Sequence, residues 1–131
     1  MLRDMDLIRN ILLYIEERYK AGTDTIKVHI EGFPDSVVYE HCKLMQEAEL
    51  IQKLENRGCD GLGDQVYVGN LTNEGYDYID KIKDISLWGK VKGIINAKGL
   101  PLIISTVKTI ADTLVKSLAE GVANSIIKNI Q

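Results

Sequence analysis

The order of elements along the chain predicts an α+β fold. A winged-helix-like domain, helices plus a small β-hairpin wing, spans residues 1–98, and a C-terminal amphipathic helical segment spans residues 99–131. Three observations carry this. Periodicities of 3.6 and 2 follow one another in the order helix, short strand, helix, hairpin, helices. The stretch NRGCDGLGDQ, Asn56 to Gln65, sets a glycine-rich charged loop between two short apolar runs, which is the signal of a hairpin with a long tip. Beyond Leu100 an apolar stripe continues at helical spacing to the end of the chain.

The first helix is expected over residues 5–19. Asp4 is a candidate N-cap, Met5, Ile8, Leu12, Ile15 and Tyr19 recur at helical spacing, and Gly22 is a natural stop. TIKVHIEG alternates Ile26, Val28 and Ile30 with Lys27, His29 and Glu31, as a short half-buried strand does. Pro34, Asp35 and Ser36 are residues favoured in a first helical turn and its cap, and Val38, Cys42, Met45 and Ala48 mark the buried face of the helix that follows.

The glycine-rich stretch is followed by Val66 and Val68, a strand pattern. A phosphate loop needs a helix directly after its glycines, so that amide N–H groups and the helix dipole meet the anion. An EF-hand needs acids at alternating positions closed by a glutamate, which Asp60 and Asp64 do not supply. The stretch is expected to be a hairpin tip. After it come two helices, one with Tyr76, Ile79 and Ile82 inward and one carrying Leu87, Trp88, Val91, Ile94 and Ile95.

The tail differs in composition. Leu100 to Gln131 has no aromatic residue, and three lysines less two acids give it +1, whereas the preceding residues hold 13 basic and 17 acidic side chains, or −4. Its stripe runs Ile104, Val107, Ala111, Leu114, Leu118, Val122, Ile126. A continuous helix here would be about 45 Å long, while the rest of the chain would form a globule with a radius of gyration of only about 13 Å. The front of the chain is too small to cover such a stripe, so a partner helix is the expected cover.

Composition excludes several classes. A net charge of −3 and a pI near 5.4 give no global attraction to nucleic acid or anionic lipid. The start MLRDMDLIRN lacks a basic segment followed by an apolar core, and two cysteines without a paired framework fit a reducing, cytoplasmic setting. His29, His41, Cys42 and Cys59 lack the paired two-to-four-residue spacing of a zinc site. Asp77, Asp80 and Asp84 share a helix beside Lys81 and Lys83, which is the pattern of a solvated face. No catalytic, metal or cofactor-binding residue is expected, and no small-molecule substrate.

Three segments then resemble a known family: RDMDLIRNILLYIE at Arg3–Glu16, YEHCKLMQEAELI at Tyr39–Ile51, and LTNEGYDYIDKIKDISLW at Leu71–Trp88. Together, over about Met1 to Gly93, they are similar to an uncharacterised bacterial and phage family, domain of unknown function twenty-five-thirteen, with YjcQ-like proteins as distant relatives. The resemblance implies a winged-helix-like fold and a home in phages and prophages; it implies no activity. The family usually carries Ala-Gly before Leu-Ile where this chain has Ala48–Glu49, a departure that bears on how tightly this helix end closes. It usually carries Leu-Thr-Trp-Glu-Gly-His where this chain has Leu71 to Tyr76, ending Asn73-Glu74-Gly75-Tyr76.

The function expected is that of a non-enzymatic regulatory or interaction protein of phage or prophage type, acting by macromolecular binding. Its expected partners are a second copy of itself, joined through the C-terminal stripe, and another protein. Tyr39, Lys43, Gln46 and Glu47 on the second helix, with Lys53 and Arg57 near the wing, form the candidate partner or nucleic-acid surface. The alternative is a DNA-binding winged-helix regulator, since such folds read the major groove with the helix before the wing. That helix offers one lysine, Lys43, against Asp35, Glu40, Glu47 and Glu49, a poor phosphate face. A membrane-surface effector is the second alternative; its polar face should be rich in Lys and Arg with aromatic anchors, and this tail has neither.

Overall fold

A computed structural model describes residues 2–58 and 63–130, with side chains described as far as Ala119. Cys59 and Asp60 at the hairpin tip, and the side chains of Val122 and Ile126, lie outside the described residues. The chain divides into two compact units, Met1–Asp80 and Lys81–Gln131.

In the first unit, α1 spans Met5–Arg18, and the Asp4 carboxylate caps it by accepting from the Leu7 N–H at 3.1 Å. Capping of this kind satisfies one of four orphan donors at a helix start. Met5, Leu7, Ile8, Ile11, Leu12 and Ile15 are fully buried on one face, each contributing about 1.5–3 kcal/mol relative to exposure. Tyr19, expected inside the helix, is instead its C-cap in extended conformation. The second helix, α2, spans Asp35–Glu47, with Pro34 rather than a side-chain acceptor at its N-cap. It packs on α1 through a face of Val38, His41, Cys42 and Met45, while Ala48 is only half-buried.

Three short strands complete this unit: β1 (Ile26–Val28), β2 (Leu54–Asn56) and β3 (Val66–Val68). They form one antiparallel sheet in the order β1-β3-β2, the arrangement in which a hairpin wing pairs back onto an earlier strand. The register puts Lys27, Tyr67 and Glu55 in one cross-strand row. Val28, Val66 and Val68 alternate with them and are buried, so one face meets the core and the other meets solvent. Pairing extends past β2 and β3 to an isolated bridge between Ile51 and Leu71. At the other end, the Asn56 Oδ1 accepts from the Gly58 and Gln65 N–H groups at 3.0 and 3.1 Å, closing the base of the tip. The α3 helix, Asn73–Ile82, follows, with Tyr78, Ile79 and Ile82 buried.

In the second unit, α4 (Ile85–Ala97) begins at Asp84, whose carboxylate accepts from the Leu87 N–H at 3.0 Å. Residues 98–103 turn the chain into α5, which spans Ile104–Ile130 and runs unbroken through Gly121. The Thr106 hydroxyl accepts from the Ile103 N–H at 3.2 Å and donates to the Ile103 carbonyl at 2.9 Å, fixing the entry. The two helices pack against each other as a hairpin, with Trp88, Val91, Ile95, Val107, Ile110 and Ala111 buried.

Candidate functional site

The second-helix surface is built from the side of α2 opposite Val38, Cys42 and Met45. Lys43, Gln46 and Glu47 are exposed and Tyr39 is half-buried; the Lys43 ammonium sits 6.0 Å from the Tyr39 ring centroid. Gln46 also lines a shallow groove of about 540 Å³ with Glu49, Ile51, Gln52, Thr72, Asn73 and Glu74. The groove lies where the end of α2 meets the start of α3, and that meeting is tight. Glu49 has φ 60°, in the left-handed region that disfavours a side chain. The Glu49 N–H donates to the Gln46 carbonyl at 3.0 Å and the Leu50 N–H to the Met45 carbonyl at 2.9 Å, the paired bonds that close a helix end. The helix end therefore closes tightly without a glycine.

The wing residues are placed together but not left free. The Lys53 Nζ lies 2.9 Å from Asp24 and 3.6 Å from Glu55. The hydrogen bond that Lys53 donates to Asp24 raises the Lys53 pKa above its ordinary value. The Arg57 Nη2 donates to Glu55 at 2.7 Å and to the Thr25 hydroxyl at 3.0 Å, and its guanidinium lies 4.2 Å from the Tyr67 ring centroid. Arg57 in turn holds the Glu55 carboxyl below the usual carboxylate range. Each wing cation is matched by an acid of its own unit, which removes much of the positive field that phosphate binding requires.

The predicted stripe of α5 is divided by α4. At 1.5 Å per residue, the 13-residue α4 is about 20 Å long and the 27-residue α5 about 40 Å. Val107 and Ala111 are buried and Ile104 and Leu114 half-buried. Near the end of the length α4 can cover, Val115 is 39% exposed, and just past it Leu118 is 41% exposed. Lys81 and Asp112 form an ion pair beside this region.

His41, expected as a buried or hydrogen-bonded histidine rather than a metal ligand, is fully buried, its Nδ1 donating to the Val37 carbonyl at 2.8 Å and its Nε2 accepting from the Asp4 N–H at 2.9 Å. Those two backbone partners fix the neutral tautomer carrying its proton on Nδ1. The signal was its place one residue from Cys42 on the α2 core face. Cys42 itself is buried, and desolvation pushes its thiol up to about 12, which makes it a packing residue rather than a nucleophile. The groove at the α2–α3 junction is the feature with no signal in the sequence.

These elements define an α+β, winged-helix-like protein with a long C-terminal helix. The family described as "Hypothetical protein (DUF2513)" matches residues 2–101, and the chain belongs to that family. An uncharacterized protein of Haemophilus influenzae (strain Rd) is 30% identical over 118 residues, spanning 90% of this chain and 98% of that one. No solved structure matches. No helix among the described residues is long and apolar enough to cross a membrane.

Proposed function

We propose that this is a non-enzymatic interaction protein, of phage or prophage type by its family resemblance, that self-associates through the part of α5 lying beyond α4. One observation carries the proposal: α5 is about twice the length of the helix that packs on it, and its apolar residues change from buried at Val107, Ile110 and Ala111 to exposed at Val115 and Leu118. Apolar side chains held open in a row at helical spacing are the usual mark of an interface, and the 3-4-3-4 spacing of Ile104, Val107, Ala111, Leu114 and Leu118 suits packing against another helix. A second protein would then be recognised by the Tyr39–Glu47 surface of α2. DNA binding is disfavoured by the acidic α2 and by the pairing of Lys53 and Arg57 with Asp24 and Glu55.

The test is mass by light scattering. The wild type is expected to be a dimer or larger at micromolar concentration. Leu114→Asp with Leu118→Asp is expected to weaken association by at least about 100-fold, since each apolar side chain removed from an interface forfeits about 1.5–3 kcal/mol. Because Leu114 is half-buried, Val115→Asp with Leu118→Asp is the companion variant that leaves the α4–α5 packing intact. A wild type that is monomeric throughout would overturn self-association.

A further inference from the structure

We draw no further inference here: the strongest candidate, the shallow groove where the end of α2 meets the start of α3 with Glu49 and Glu74 at its edge, carries nothing because two carboxylates beside helix termini, with no buried unpartnered group aimed into the groove, do not define a ligand.

Discussion

Two helices of this protein end in the same geometry with different residues, and the contrast separates what a turn needs locally from what its surroundings can impose. At α4, Gly99 has φ 67°, its N–H meets the Asn96 carbonyl at 3.1 Å, and the Leu100 N–H meets the Ile95 carbonyl at 3.0 Å. At α2, Glu49 has φ 60°, and the Glu49 and Leu50 N–H groups make the equivalent bonds to the Gln46 and Met45 carbonyls. The first turn uses a glycine, which enters the left-handed region without steric cost. The second forces a glutamate there, at about 1–2 kcal/mol.

What offsets the cost at α2 comes from outside the helix. The Thr72 hydroxyl donates to the Glu49 carbonyl, and the Thr72 N–H donates to the Leu50 carbonyl at 3.0 Å. Thr72 also caps α3, its hydroxyl accepting from the Gly75 N–H at 3.0 Å. Gly75 lies so close behind this junction that a Cβ there would stand 2.1 Å from the Leu50 carbonyl oxygen. Leu50 is buried, whereas its counterpart Leu100 is 40% exposed. The Glu49 turn is thus clamped between α2 and α3 and sealed by a core leucine. At Gly99 the backbone conformation is chosen by the residue itself.

Four substitutions sharpen this contrast, each read by chemical denaturation. Gly75→Ala should have the largest effect, a loss of about 3 kcal/mol or more, because backbone meets the new methyl and neither helix can give way cheaply. A loss under about 1 kcal/mol would mean that the α2–α3 junction is loose. Thr72→Ala removes a cap and the bond to Glu49 together and should cost about 1.5 kcal/mol. Gly99→Ala should cost about 1 kcal/mol, all of it backbone strain, since no atom stands within 4 Å of the added Cβ. Glu49→Gly should act in the opposite direction and stabilise by slightly under 1 kcal/mol, the relieved strain exceeding the added freedom of the unfolded chain. If Glu49→Gly destabilises, the clamp rather than the residue sets that conformation, and the glutamate is unstrained in its setting.

The sequence made the element order legible because most elements announce themselves by period. Met5, Ile8, Leu12 and Ile15 are spaced as one helix face, and Ile26, Val28, Val66 and Val68 alternate as strands with polar residues between them. The hairpin was legible because Asn56 and the glycines after it match what a turn demands. Glu49 was not, because a left-handed glutamate leaves no local trace and is imposed by Thr72, more than twenty residues away in sequence. The division of the α5 stripe was equally hidden: apolar spacing identifies a sticky face but not the length of the helix laid against it, so Val107 and Leu118 look alike until α4 is in place. Lys53 and Arg57 looked like free wing charges because Asp24 and Thr25, which join Glu55 as their partners, sit in the turn before β1.

The buried imidazole of His41 ties two helices through main chain alone. Asp4 offers it an amide that almost any amino acid would present, so position 4 can vary among the residues able to cap α1 (Asp, Asn, Ser, Thr) without breaking the link. Position 41 has no such latitude: its occupant must donate at one end and accept at the other inside a dry interior. Phenylalanine, of nearly the same outline, would strand the opening amide at the start of α1. Asymmetric tolerance of that sort is a signature that deep mutational scanning of these two positions could read directly.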